Sequence, residues 1–150
     1  MVIKMRALTA TDFDAWVPLW RGYLEFYKAQ VPDATTALTF ARLTGGHEPM
    51  GAFLACDADG SALGVVHWIL HRSCWTTGDY CYLQDLFVVP GRRNQGIARQ
   101  LIQAVYTEAT ARQCSRVYWL THETNTDAMK LYDKVADRSG FVQYRRMLPA

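Results

Sequence analysis

The pattern of apolar and polar positions predicts six strand-like segments along this chain. The segments read VIKMRAL, then GAFLAC and ALGVVHWILH around a polar turn, then YCYLQDLFVV, SRVYWLT and finally GFVQYRRML. They are short, rich in β-branched and aromatic residues and bounded by turn-forming residues, which is typical of strands. The turn Asp57–Gly60 predicts a β-hairpin. The centre of SRVYWLT is continuously apolar, which predicts a buried strand of the kind found in parallel sheets.

Helical spacing of apolar residues predicts four helices between these strands. The first follows a cap at Thr11 or Asp12, and the second runs from about Ala34 to Leu43. The third follows the YCYLQDLFVV strand, and the fourth follows a cap at Thr124 or Asn125. The first helix has an unusually aromatic stripe, which consists of Trp16, Leu19, Trp20, Tyr23, Phe26 and Tyr27.

The predicted order of elements is β-α-α-β-β-β-α-β-α-β, without repeats, low-complexity tracts or a dividing linker. This order favours an α/β fold (α+β mixed sheet) with helices on both faces of the sheet. A chain of 150 residues, half of them apolar, has the usual size of one domain. Residues 1–150 are therefore expected to form a single domain.

The charge balance excludes some classes of function. Sixteen Lys and Arg against fourteen Asp and Glu give a formal net charge of +2, which is too balanced for an electrostatic nucleic-acid binder or a membrane-surface protein. No stretch approaches the length of an apolar membrane span, and the N-terminus lacks the apolar segment of a signal peptide. We therefore expect neither nucleic acid nor membrane as a partner.

The cysteines and histidines do not predict a metal site. The four cysteines show no CxxC spacing and mostly lie in apolar surroundings, which favours reduced core thiols and a cytoplasmic location. His67 and His71 are four residues apart in a strand-like segment, where this spacing does not converge on a metal. Core or surface positions are therefore favoured for both.

The segment PGRRNQGIARQL, residues 90–101, joins a predicted strand to a predicted helix. The first turn of a helix has unpaired N–H groups and a partial positive charge. Gly96 lets the backbone approach a ligand, and Arg93 and Arg99 add charge, so the segment suits a phosphate group. A tight turn with solvated arginines explains the segment equally well when it is taken alone.

Its context adds specificity. RNQGIA matches the pattern (Gln/Arg)-x-x-Gly-x-(Gly/Ala), and it is followed by a helix, a strand and an LY-containing helix. In this order of elements the chain resembles the GCN5-related N-acetyltransferase (GNAT) superfamily. YLQDLFV, VYWLTHETN and AMKLYDKV look most like its Hpa2 branch.

The resemblance implies an acetyl-coenzyme A (acetyl-CoA) site in a cleft between two splayed parallel strands. The pyrophosphate would bind the loop residues Arg93, Asn94, Gln95, Gly96, Ile97, Ala98 and Arg99. The pantetheine arm would lie beside Leu86, Phe87 and Val88, and the N–H of Leu86 would polarise the acetyl carbonyl. Asn125 would bind the cofactor arm, or serve as a helix cap, or both.

The same resemblance implies that Tyr132 is the general acid that protonates the departing thiolate. An ordinary core tyrosine is the alternative, because Tyr132 lies on the apolar face of its predicted helix. Relatives often have Glu-Asp where this chain has Gln84 and Asp85, and glutamine cannot act as a base. Asp85 is a tentative base; a water relayed to Glu123, or an acceptor amine of low pKa, is an alternative.

Trp20, Tyr23, Tyr27 and Gln84 are tentative acceptor-binding residues, although the spacing of the aromatic ones equally suits core packing. The expected function is direct acetyl transfer from acetyl-CoA to a primary amine of a small molecule such as a polyamine or amino acid. A peptide or histone lysine acetyltransferase and a non-catalytic acyl-CoA sensor are the alternatives. A homodimer is expected, and no metal.

Overall fold

The computed structural model describes residues 2–150 and shows five strands and four helices in this range. In chain order they are β1 (Lys4–Ala7), α1 (Phe13–Phe26), α2 (Asp33–Thr44), β2 (Met50–Cys56), β3 (Ala62–Arg72), β4 (Asp79–Val88), α3 (Ile97–Ala111), β5 (Val117–Tyr118) and α4 (Thr126–Val135). No helix within residues 2–150 is both long and apolar enough to cross a membrane. By packing, the chain divides into two units, Met1–Leu120 and Thr121–Ala150.

The first unit contains a five-stranded sheet in the order β1-β2-β3-β4-β5. The first three strand pairs are antiparallel, and β4 pairs with β5 in parallel, so the predicted mixed sheet is confirmed. The hairpin predicted at Asp57–Gly60 joins β2 to β3.

Helices cover both faces of this sheet, as predicted. Val65 packs in one core cluster with Trp16 of α1 and Phe40 of α2. The adjacent Gly64 faces Leu101 of α3. Successive residues of a strand point to opposite faces, so α1 and α2 lie on one side and α3 on the other.

The aromatic stripe of α1 forms much of the core on the first face. Trp16 is fully buried, and its ring stacks on that of Trp20 at 5.9 Å. Gly22 allows α1 to lie close to β4, because a Cβ at this position would be 2.7 Å from the ring of Phe87. The last two residues of the stripe, Phe26 and Tyr27, lie at the C-terminal end of α1 and directly after it, and both are exposed.

The second unit contains α4. The predicted apolar face of this helix, Ala128, Leu131, Tyr132 and Val135, is half-buried, and Met129 is half-buried beside it. Asn125 occupies the N-cap position but makes no side-chain cap bond; its amide donates to the hydroxyl of Thr121 at 3.1 Å.

Two strand predictions need correction. The predicted closing strand GFVQYRRML is not formed, because a strand needs a neighbour for its backbone groups and residues 140–148 pair with none in the described chain. Phe141 and Tyr144 are at least 90% exposed in this segment. SRVYWLT forms only the two-residue strand Val117–Tyr118, and it is half-buried, because β5 lies at the edge of the sheet.

Candidate functional site

The edge of β4 is open over its second half. The pairing of β4 with β5 ends at Tyr82, whereas β4 continues to Val88. The N–H of Val89 donates to Leu63 on the β3 side at 2.9 Å. Backbone groups alternate between the two sides of a strand, so those of Val88 and Leu86 face the open edge. The open edge therefore offers the Leu86 N–H as a hydrogen-bond donor.

The loop after β4 leads to the N-terminus of α3. Gly96 precedes this helix with φ 79°, a left-handed conformation that favours glycine. A Cβ at Gly96 would meet no atom within 4 Å, so there is room beside the backbone. No side chain caps α3, and the first N–H groups of a helix have no intrahelical acceptor. The arrangement suits an anionic ligand.

Two of the loop arginines fasten the loop to its surroundings. Arg93 donates through Nε to the carbonyl of Val88 at 3.0 Å, and its guanidinium lies 5.6 Å from the ring centroids of Phe26 and Phe87. Arg92 lies 3.9 Å from the carboxylate of Asp57. Arg93 therefore has a structural role that the sequence pattern does not reveal. Arg99 is exposed on the first turn of α3.

A bulge in β4 determines where Asp85 points. His67 pairs with Asp85 and Trp68 pairs with Leu83, so Gln84 has no residue opposite it in β3. Gln84 is exposed, whereas the Asp85 side chain is 11% exposed on the α1 face of the sheet. The extra residue places Asp85 on the same face as Tyr82, three positions away.

Asp85 ends a buried hydrogen-bonded chain. Its Oδ2 lies 2.9 Å from Nδ1 of His67, and Nε2 of His67 lies 3.0 Å from the indole N–H of Trp16. Both His67 and Trp16 are at most 2% exposed. His67 is thus a core residue and His71 is exposed, which agrees with the expectation of core or surface positions for these two histidines.

Three tyrosines surround the Asp85 carboxylate, and we call Tyr23, Tyr27 and Tyr82 the tyrosine cluster. Burial first, and then the negative charge of Asp85, raises the pKa of each phenol. The cluster is therefore neutral at physiological pH. The rings of Tyr23 and Tyr27 are 4.9 Å apart.

The other two tentative acceptor residues, Trp20 and Gln84, differ in their surroundings. Trp20 is 8% exposed, and its indole N–H donates to the hydroxyl of Thr36 at 3.1 Å, so it packs as core. Gln84 is exposed at the bulge. Sequence reasoning did not connect Trp16, His67 and Tyr82 to the site. The regular alternation of a strand conceals the bulge that brings Tyr82 to Asp85.

The remaining predicted residues belong to the second unit. Asn125 precedes α4, and Tyr132 lies on its half-buried face. Glu123, the alternative proton acceptor, is exposed in the turn before α4.

Comparison with known proteins identifies the family. A sequence model of the Acetyltransferase (GNAT) family matches residues 16–136. The D-amino-acid N-acetyltransferase HPA3 of Saccharomyces cerevisiae is 34% identical over 96% of this chain and 90% of its own length. Aminoglycoside N(6')-acetyltransferase type 1 of Salmonella typhimurium is 27% identical over 97% of this chain and 96% of its own length.

The fold is shared with solved structures. AAC(6')-Iy in complex with the bisubstrate analogue CoA-S-monomethyl-acetylneamine superposes with a TM-score of 0.85 at 22% identity, over 99% of this chain and all of that one. The resemblance that the motifs indicate is thus confirmed, and the yeast relative is consistent with the Hpa2-like branch. The chain belongs to the GNAT acetyltransferase family and is an acetyl-CoA-dependent N-acetyltransferase.

Proposed function

We propose that this protein transfers the acetyl group of acetyl-CoA directly to a primary amine of a small molecule. The main observation is that two successive residues of β4 provide complementary groups: the N–H of Leu86 at the open strand edge, and the carboxylate of Asp85 inside the tyrosine cluster. A donor for the carbonyl oxygen and an acceptor for the ammonium proton are what acetyl transfer to an amine requires.

The residues of the first unit fit acetyl-CoA as the co-substrate. The uncapped N-terminus of α3 and the space beside Gly96 suit the pyrophosphate, and the open edge at Leu86 and Val88 suits the amides of the pantetheine arm. Acetyl-CoA supplies an activated thioester carbonyl when it is bound. The proposed cofactor-binding set is Leu86, Phe87, Val88, Arg93, Asn94, Gln95, Gly96, Ile97, Ala98, Arg99, Asn125 and Tyr132.

Asp85 is the proposed general base. An alkylammonium with a pKa of about 10.4 is neutral in only about one molecule in 2,500 at pH 7, a gap of roughly 4.6 kcal/mol. The Asp85 carboxylate accepts this proton, and the ring faces of the tyrosine cluster hold the cation before it is deprotonated. The neighbouring Leu86 N–H donates to the oxygen that gains negative charge. Gln84 adjoins this site at the bulge and is proposed to contact the acceptor.

Tyr132 is the proposed general acid, which protonates the thiolate as it leaves. Support comes from the family match, which includes this residue, and from its place on the half-buried face of α4. A neutral phenol is a suitable donor to a thiolate at physiological pH.

Small amines are proposed as acceptors because the two relatives described above are named for small-molecule acceptors, a D-amino acid and an aminoglycoside. The carboxylate is also largely enclosed, since only 11% of the Asp85 side chain is exposed. An enclosed carboxylate favours a compact amine over a folded protein surface.

The test is release of free thiol from acetyl-CoA across a panel of D- and L-amino acids, aminoglycosides, polyamines and lysine peptides. We expect turnover on small amines. Asp85→Asn should lower kcat at least about 100-fold, and Tyr132→Phe should lower it by a similar factor. Asp79→Asn, the same change on the same strand, is the control and should stay close to wild type.

Other outcomes would contradict the proposal. Turnover on lysine peptides alone would favour a peptide acetyltransferase. Tight acetyl-CoA binding without turnover on any acceptor would favour a sensor. Full activity of Asp85→Asn or of Tyr132→Phe would remove the base or the acid assignment respectively.

We further propose that the two units act as one N-acetyltransferase domain, because the family match runs across the division at Leu120. A homodimer is proposed because the C-terminal segment exposes large apolar side chains, namely Phe141, Val142, Tyr144, Met147 and Leu148. The cysteines are free, which supports a cytoplasmic location. Fractionation of cells that express a tagged protein would test that location.

A further inference from the structure

In the Trp16–His67–Asp85 chain, the two neighbours of His67 determine which ring nitrogen of His67 carries the hydrogen. An indole N–H can only donate, so Nε2 of His67, 3.0 Å from Trp16 Nε1, must be an acceptor without a proton. The proton of a neutral His67 is then on Nδ1. That nitrogen is 2.9 Å from Oδ2 of Asp85 and donates to it.

We propose that His67, fixed by Trp16 in the Nδ1–H tautomer, is a positioning residue that orients the Asp85 carboxylate for proton transfer. The inference rests on the proposed function, since it assigns a task to Asp85. Its own basis is the geometry of three side chains on three elements, α1, β3 and β4.

The consequences for Asp85 follow from the direction of the bond. The donor at Nδ1 bonds the carboxylate through Oδ2 and thereby holds the Asp85 side chain in one orientation. Oδ2 is held by His67, and the carboxylate also accepts a hydrogen bond from the phenol of Tyr23, so its orientation within the tyrosine cluster is fixed from two sides. The fixed indole also prevents His67 from turning, because rotation of the imidazole would leave a buried N–H and a buried ring nitrogen unpaired.

His67 differs from a proton relay. A second proton on its ring would have to sit on Nε2, where it would face the indole N–H of Trp16. The proton that Asp85 takes therefore leaves from Asp85 itself, and His67 acts only through the orientation of that carboxylate.

Wild-type protein labelled with nitrogen-15 provides the direct test. Long-range correlation spectra of the imidazole ring at neutral pH distinguish the two tautomers. We expect the His67 signals to show a protonated Nδ1 and an acceptor Nε2. A protonated Nε2 would overturn the proposal, and this measurement needs no variant to fold.

Matched variants test the catalytic consequence. Trp16→Phe removes the donor that fixes the tautomer and should lower kcat between about 10- and 100-fold, with the KM for acetyl-CoA unchanged. Trp20→Phe is the control. It also removes a buried indole N–H from α1, but that N–H donates to Thr36 and not to His67. An equal loss of kcat in both variants would mean that lost core packing explains the effect, and it would overturn the proposal.

Two substitutions of His67 separate positioning from packing. His67→Asn keeps an N–H donor close to the Nδ1 position, and His67→Leu removes it. We expect His67→Asn to retain at least about ten times the kcat of His67→Leu at similar thermal stability. Equal kcat values would overturn the positioning role. Full activity of Asp85→Asn would overturn the proposed base together with this role, whereas the wrong tautomer would overturn the positioning role alone.

Discussion

At the residue scale, the chain uses aspartates for two different purposes. Asp85 holds its carboxylate toward the tyrosine cluster, while Asp12 fixes the entry to α1. Both carboxylate oxygens of Asp12 are 2.8 Å from the guanidinium of Arg6, and the backbone N–H of Thr9 donates to it at 2.7 Å. Asp12 stands at the N-cap position, as the sequence allows, but it binds the preceding segment instead of the helix amides.

Asp12→Asn should destabilise the fold in a pH-dependent way. The hydrogen bonds from Arg6 are the main cause that lowers the pKa of Asp12 to about 2. An unfolded Asp has a pKa of about 3.9, so the contribution is present above pH 4 and is lost as the pH falls toward 2. We expect the variant to lose about 1–2 kcal/mol at pH 7, less than the full pKa shift implies because Arg6 is partly exposed.

Urea denaturation of wild type and Asp12→Asn at several pH values measures this difference. Asp14→Asn, an exposed aspartate in the first turn of the same helix, is the control. A difference that stays constant between pH 7 and pH 2 would contradict the linkage.

At the element scale, the site depends on how strands and helices end. The β4 ladder loses its neighbour after Tyr82, and α3 begins without a side-chain cap. Both ends leave backbone donors available, so the proposed cofactor site needs few dedicated side chains. The loop between them is held by Arg92 and Arg93, so its amides are kept in place before any ligand binds.

Gly96→Trp should abolish coenzyme A binding. The indole would occupy the space beside the helix amides, which is open because a Cβ at Gly96 would contact no residue within 4 Å other than its chain neighbours. A left-handed φ strains any residue other than glycine, so the control must carry the same strain. Gly91→Trp meets this condition, because Gly91 has φ 85° in the same loop and is equally open. Titration calorimetry with coenzyme A should show binding by Gly91→Trp and none by Gly96→Trp. Equal affinities would refute the assignment of the loop to pyrophosphate.

At the scale of the whole molecule, the C-terminal segment is the most exposed apolar part of the chain. Tyr144 is 94% exposed and Phe141 is 90% exposed, although their sequence pattern is typical of a strand. Exposed contiguous apolar residues commonly mark a contact with another protein. In the proposed homodimer, a second copy of the chain contacts this segment.

Deletion of residues 139–150 should therefore convert the dimer into a monomer. The reason is that the apolar side chains of this segment would no longer be available to a second copy. Light scattering during size-exclusion chromatography measures the mass directly, and Phe141→Ser with Tyr144→Ser in the full-length chain is a milder parallel test. A monomeric wild type at micromolar concentration, or a truncated chain that is still dimeric, would refute the proposed dimer contact.

The sequence by itself predicted ten elements, nine of which form in the predicted order, together with the hairpin at Asp57–Gly60 and the loop that precedes α3. These features depend on local chemistry: side-chain periodicity, turn residues and a glycine before a helix. Family motifs added the acetyltransferase activity, which the comparisons confirm.

The tertiary structure decided what depends on neighbours distant in sequence. The bulge at Gln84 appears only when β4 is paired with β3, and it alone determines that Asp85 lies beside His67 and Tyr82. The closing strand failed to form because a strand pattern specifies side-chain faces and does not supply a backbone partner. Trp16 resembles any core residue in the sequence, and only the tertiary structure reveals its 3.0 Å hydrogen bond to His67, 51 residues away, on which the proposed tautomer rests.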